Sequence, residues 1–140
     1  MKRRTVLIVV TVLLALTFSG VGLAVYLYSK PHVNARNLAP DFRIDASALF
    51  GEFSRNEAAA SRRFVDKIIE IKGMILSRED GENSVNVLLD TGNPAATVNC
   101  SFRFSRHERI NMPPKGGTVT IKGKCAGFLN DVNVVDCVLE

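Results

Sequence analysis

From Thr5 to Tyr28 the chain runs for 24 residues without a charged side chain, mostly through Val and Leu. A helix of that length measures roughly 36 Å at 1.5 Å per residue. A bilayer core is about 30 Å thick, so the segment is long enough to span it with some tilt. A buried helix of a water-soluble domain is the competing reading, and the run offers no polar stripe to serve as a wet face. What remains of the 140 residues is the length of one ordinary domain.

The basic character of the chain belongs largely to this segment's flank. Lys2, Arg3 and Arg4 precede the run, and without them 15 basic residues face 14 acidic ones, all after Tyr28. A basic cluster of this kind favours retention on the cytoplasmic side. The domain beyond the helix is then expected across the membrane, periplasmic or extracellular. A cleaved signal peptide also begins basic and apolar, but its apolar core is only about 7–15 residues long. Here Ser19-Gly20-Val21-Gly22 lies inside the run, and Leu23 to Tyr28 continue it. Tyr26 and Tyr28 stand where interfacial aromatics are expected. No cysteine follows the run closely, which argues against a lipid-modified N-terminus. The reading is an uncleaved signal-anchor over 5–28, with 1–4 as its cytoplasmic flank.

Residues 29–44 contain Pro31 and Pro40 and read as a linker. The folded domain is expected over 45–140. Asp45 and Asn56 are helix N-cap residues by type, with Glu57 placed for the first turn of the second helix. Leu49, Phe50 and Phe53, then Ala58 to Ala60 and Phe64, continue at helical spacing. The period then changes to two. Ile69, Ile71, Gly73 and Ile75 mark a first strand, and Val85, Val87 and Leu89 a second. Val98, Cys100, Phe102 and Phe104 mark a third, and Val119, Ile121, Gly123 and Cys125 a fourth. Val135, Cys137 and Leu139 mark a fifth. Pro113 and Pro114 exclude a central strand between the third and fourth.

Five short strands behind a helical segment predict a mainly β protein, an OB-fold-like barrel. An open antiparallel sheet packed on the helical segment is the alternative. Gly73 and Gly123 are read as corners of a small barrel. An eight-stranded barrel is excluded by length.

These residues resemble a known group. Leu49-Phe50 through Phe53, Asn56-Glu57-Ala58-Ala59-Ala60, Phe64, Lys67-Ile68 and Ile71-Lys72-Gly73 resemble the opening of the tRNA-anti-like family of bacterial OB-fold proteins. Val98-Asn99-Cys100-Ser101-Phe102 is similar to its third strand. The run from Val119 to Gly127, and that from Asp131-Val132 through Asp136-Cys137, resemble its closing hairpin. The resemblance covers roughly 46–140. It implies the OB fold and an envelope location, with the helix in the bacterial inner membrane, and it carries over no catalytic residue.

Chemistry-bearing residues are few. Cys100, Cys125 and Cys137 all fall on the inward phase of their strands. Three cysteines allow three single pairings, and Cys125–Cys137, flanking the last turn, is favoured over Cys100–Cys125. Three buried thiols are the alternative. No Cys-x-x-Cys pair suggests redox catalysis. His32 and His107 lack metal-ligand spacing, so neither metal nor cofactor is expected. No nucleophile–base arrangement points to an enzyme.

A single-strand nucleic-acid binder combines a cationic groove with aromatic platforms. Here Phe102 and Phe104 share the core phase, and there is no Trp. Lys72, Arg103, Lys122 and Lys124 point outward, and Arg106 and Arg109 follow the third strand. Together they form the candidate ligand face, although Glu70, Glu108 and Asp90 intersperse it as they would an ordinary solvated surface. The function expected is a membrane-anchored binding module for an envelope protein, peptide or saccharide. The alternative is a nucleic-acid-binding OB domain.

Overall fold

The computed structural model describes residues 2–28, 35–104 and 110–140. They form two units, the N-terminal helix and a β-domain.

Helix α1 spans Lys2–Tyr28. Its Arg3–Tyr26 stretch is long and apolar enough to cross a membrane. Two of its threonine side chains turn back on the helix. Thr11 Oγ1 lies 3.0 Å from the Leu7 carbonyl and 2.9 Å from that of Ile8, and Thr17 Oγ1 donates to Leu14 at 2.8 Å. Each hydroxyl is thereby satisfied without water.

The β-domain has six strands: β1 Phe42–Asp45, β2 Ile68–Asp80, β3 Ser84–Asp90, β4 Thr97–Arg103, β5 Thr118–Phe128 and β6 Val132–Leu139. Hydrogen bonding follows the order β1-β2-β3-β4-β6-β5, and β2 also pairs with β5. Strands β2 to β6 therefore close on themselves, while β1 adds to β2 in parallel. Closure removes the exposed edges that a five-stranded sheet would otherwise present. The remaining pairs are antiparallel apart from β4–β6, a parallel ladder of three residues joining Val98–Cys100 to Val132–Val134.

Two helices precede the barrel, α2 Ala46–Arg55 and α3 Glu57–Phe64. Their apolar residues pack into the barrel core: Leu49, Phe53, Ala60 and Phe64 are buried with Ile69, Ile71, Val87, Val98, Phe102 and Ile121. Asn56 caps α3 as its type predicts, accepting from the Ala59 N–H at 3.0 Å. Asp45 holds the N-cap position of α2 in extended backbone, but its carboxylate makes no capping bond.

Two features differ from the sequence reading. The stretch expected as linker contains folded structure. Ala35 is buried in the 3-10 turn Ala35–Asn37, and β1 pairs with β2 from Phe42↔Ile69 to Asp45↔Lys72. Asp41 fastens this entry, donating its N–H to the Ile68 carbonyl at 2.7 Å and accepting the Ile68 N–H on its carboxylate at 2.9 Å.

The second difference is the phase of β6. Val132, Val134 and Cys137 face the core, while Val135 and Leu139 are half-buried. The cause is a bulge. Lys124 opposes Val135 but Lys122 opposes Val138, so β6 carries one extra residue there, and Asp136 takes a φ of 52°. An inserted residue flips the side-chain alternation that follows it.

Gly73 and Gly123, read as corners, also serve close approach within the wall. A Cβ on Gly73 would lie 3.0 Å from Ala46 Cβ. One on Gly123 would lie 2.8 Å from both Cys137 Sγ and Val134 Cγ1.

Candidate functional site

The candidate cationic face divides over the barrel. Lys72, Lys122 and Lys124 lie on β2 and β5, which pair with each other. Arg103 closes β4 opposite Ser84, on strands that neither β2's first half nor β5 adjoins. Arg106 and Arg109, with His107, lie outside the described residues, as does His32.

Two of these lysines, Lys122 and Lys124, are engaged with acids. Lys122 is buried and pairs with the Glu140 carboxylate. Lys124 Nζ lies 2.8 Å from Asp66 Oδ1. On the same rows Arg43 Nε bonds Glu70 at 3.2 Å, and Glu70 sits opposite Lys122. Acid and base thus alternate across β1, β2 and β5, which removes the uniform positive field that steers a polyanion. The Lys124–Asp66 pair is exposed and contributes only about 0–1 kcal/mol. The partners are far apart in the chain, which is why the lysine pattern alone hid them.

A different face emerges from β3, β4 and β6. On β3 and β4 inward residues alternate with outward ones, half-buried except for exposed Arg103, and β6 keeps the alternation from Val132 to Val135. The outward rows run Asn86↔Ser101 and Leu88↔Asn99↔Asn133, with Ser84↔Arg103 at one end and Asp90↔Thr97 at the other. Asp131 anchors the face from the β5–β6 turn. Its Oδ1 accepts from the Thr97 N–H at 2.6 Å and the Thr97 hydroxyl at 2.8 Å. Asn133 Nδ2 donates to the Asp131 carbonyl at 3.2 Å, and its Oδ1 receives Asn99 Nδ2 at 3.5 Å. The chain of bonds ends at Asn99 Oδ1, a buried acceptor with no partner among the described residues. Buried acceptors are normally satisfied, and a donor from outside the protein reaches this one only if the Asn99 side chain turns outward.

Sequence reasoning placed Asn99 and Ser101 on the outward phase but did not single them out. The signal was the run of amide and hydroxyl residues between core positions, and no rule converts that pattern into a site.

Elsewhere, a shallow cavity of about 190 Å³ opens at the α2–α3 elbow, lined by Glu52, Arg55, Asn56, Ala59, Ala60 and Arg63. Its charges answer one another, since Glu52 lies 3.7 Å from Arg55 and 3.5 Å from Arg63. The Arg63 guanidinium also stacks over Phe42 and Phe64, at 5.3 and 5.1 Å from the ring centroids. Among the described residues, no group of three or more His, Cys, Asp or Glu side chains is arranged to hold a metal ion.

The three cysteines are buried free thiols, and the register does not set Cys125 directly opposite Cys137. The β6 bulge accounts for this. Cys125 opposes Val134, whereas Cys137 lies over Gly123, two residues along β5 from Cys125. Burial pushes the Cys137 thiol well above its ordinary range, and the adjoining Cys100 thiol adds to the rise. Burial also raises Cys125, opposed by a hydrogen bond with the Gly127 backbone and assisted by the Asp66 charge.

The sign of the pH dependence follows. A thiol with an ordinary value of 9.0 ionises first in the unfolded chain, so its contribution to stability is complete below that pH and is lost as pH rises towards the folded-state value. Under reducing conditions the domain should lose stability as pH rises above ~9, with each such thiol adding to the fall. Urea midpoints at pH 8 and pH 10 measure this, and Cys125→Ala should flatten the fall relative to wild type.

A five-stranded barrel closed in the order β2-β3-β4-β6-β5, with its β4–β6 junction parallel, defines an OB-fold protein. The tRNA_anti-like family model matches residues 1–139, and the chain belongs to that family. Among solved structures it is similar to a lipoprotein from Klebsiella pneumoniae named as a candidate nucleic-acid binder. The TM-score is 0.51 at 20% identity, over 69% of this chain and 90% of that one. A Leishmania major protein named as a candidate aspartyl-tRNA synthetase matches with a TM-score of 0.43 at 13% identity, over 75% of this chain and 21% of that one. No curated protein matches the chain.

Proposed function

We propose that this chain is a membrane-anchored OB-fold binding module of the bacterial cell envelope. Helix α1 spans the inner membrane once as an uncleaved signal-anchor. The β-domain lies on the periplasmic or extracellular side and takes an uncharged peptide or saccharide ligand on the outer face of β3, β4 and β6. It binds without catalysing a reaction.

The observation that carries the reading is the hydrogen-bonded row Asn99–Asn133–Asp131 on the outer face, which ends on the buried, unpartnered acceptor Asn99 Oδ1. OB folds present ligands to the corresponding strand face. Amide and hydroxyl groups flanking an aliphatic Leu88 suit a ligand that offers N–H or O–H donors and short apolar surfaces. Such a site loses affinity when one member of the row is removed and changes little with salt.

Single-stranded nucleic acid is the second reading, favoured by exposed Arg103 at the end of β4 and by the printed name of the Klebsiella protein. It is weakened by the burial of Phe102, at 1% exposure, because no stacking platform then stands on this strand.

The test measures binding by the detergent-solubilised full chain to envelope peptide and glycan fractions and to a fluorescent oligothymidylate. A salt-insensitive envelope ligand weakened about tenfold by Asn99→Ala supports the proposal. Oligonucleotide binding that fades with salt, falls with Arg103→Ala and survives Asn99→Ala overturns it.

A further inference from the structure

The α2–α3 elbow turns on one residue. Asn56 closes α2, donating its N–H to the Glu52 carbonyl at 3.2 Å, and opens α3 by accepting the Ala59 N–H. Its backbone, at φ −155° and ψ 89°, leaves the helical region and bends the chain there. The bend brings the last turn of α2 against one side of α3. Asn56, Ala59, Ala60 and Arg63 follow the spacing of a single helix face, and Glu52 and Arg55 do the same on α2. These six residues line the cavity of about 190 Å³. Two guanidinium groups there stand against one carboxylate, so the lining carries one formal positive charge in excess. Glu52 meets its arginines loosely, at 3.7 Å from Arg55 and 3.5 Å from Arg63. Both distances exceed the roughly 2.7–3.2 Å of a well-formed N–H···O bond. Arg63 is nonetheless positioned, because its guanidinium packs on the rings of Phe42 and Phe64. The Arg55 side chain is 81% exposed and unconfined.

We propose that the elbow cavity binds the carboxylate of a small ligand. Arg63 receives the carboxylate, Arg55 closes on it from α2, and Glu52 gives up its loose contacts with both as the ligand enters. The planar fork of N–H donors on a guanidinium matches a carboxylate in bidentate geometry. A monoanion cancels the single positive charge of the lining, whereas a phosphate dianion would leave a negative excess beside Glu52. Ala59 and Ala60 offer only methyl groups to whatever carries the carboxylate, so that part of the ligand is small and at least partly apolar. The terminal carboxylate of a peptide and the carboxylate of a uronic acid both present this chemistry. The cavity is separate from the face of β3, β4 and β6, since none of its residues lies on those strands. The inference therefore depends neither on the ligand proposed for that face nor on the side of the membrane.

The experiment titrates the detergent-solubilised full chain at low salt, by calorimetry, with acetyl-alanyl-alanine, its C-terminal amide, glucuronate and inorganic phosphate. The expected result is a dissociation constant of about 1 mM for one or both of the two carboxylic acids. The amide should not bind. Arg63→Gln and Arg55→Gln should each weaken binding about tenfold. Arg55 is exposed, so an unchanged thermal midpoint in Arg55→Gln separates lost binding from lost structure. Glu52→Gln should tighten binding about threefold, because the competing carboxylate is gone, a gain that a merely structural Glu52 would not give. Binding of the peptide acid identifies a peptide terminus as the source, and binding of glucuronate identifies a uronic acid. Failure of both acids to bind, equal binding of the amide, tighter binding of phosphate, weaker binding in Glu52→Gln, or binding that survives both arginine variants overturns the proposal.

Discussion

Replacing Phe53 with Ala should lower the stability of the β-domain by about 4 kcal/mol. Phe53 is 1% exposed and sits where the helical segment enters the barrel. Its ring stacks on Phe128 at 5.5 Å and leans on Phe64 at 6.0 Å, so it joins α2 to α3 and to the end of β5. Removing it forfeits the transfer energy of the ring and leaves a cavity bounded by barrel strands that cannot collapse freely. A domain of this size has about 5–15 kcal/mol in total, so the loss consumes much of the margin. Phe50, one turn away, is half-buried, with its ring 6.2 Å from Phe128. Phe50→Ala should cost about 1–2 kcal/mol. Urea denaturation of the detergent-solubilised chain, followed by circular dichroism, compares the two. Equal effects would show that α2 does not plug the barrel.

Gly123→Ala should cost about 3 kcal/mol, through crowding rather than loss of contact. The new Cβ would stand 2.8 Å from Cys137 Sγ, 2.8 Å from Val134 Cγ1 and 3.0 Å from the Val135 carbonyl oxygen. The last is backbone at the β6 bulge, so relief there means moving the strand itself. Adding Cys137→Ala removes one of the three obstacles and should recover roughly a third to a half of the loss, a coupling that a double-mutant cycle reads directly. If Gly123→Ala is neutral, β5 and β6 are not packed as closely as the structure has them.

Where fold and sequence agree, the information was local. The uncharged run of α1 and the alternation in β2 to β5 are properties of neighbouring residues, and each element forms where its period predicts. Asn56 states its role through type and position, and the structure gives it that role. What escaped depends on distant partners. Phe42–Asp45 is four residues long and follows Pro40, so nothing nearby marks it as a strand; it becomes one by pairing in parallel with β2. The phase of β6 reverses at Asp136 because a non-glycine residue adopts positive φ, which composition does not announce.

The site was less legible still. Lys122 and Lys124 read as a cationic face until Glu140 and Asp66 are brought beside them by folding. The amide row instead consists of Asn99 and Asn133, 34 residues apart and joined only at the parallel seam. A hydrogen-bonded row of this kind depends on register, and register between β4 and β6 is set by the closed barrel.

The account depends above all on which side of the membrane the β-domain occupies, because that side determines the ligands within reach. Protease accessibility, followed with an antibody to the domain, decides the matter. We predict that the domain is degraded in cells whose outer barrier has been permeabilised while the cytoplasmic membrane stays sealed and a cytosolic marker survives. Protection of the domain until the cytoplasmic membrane itself is lysed would contradict the account.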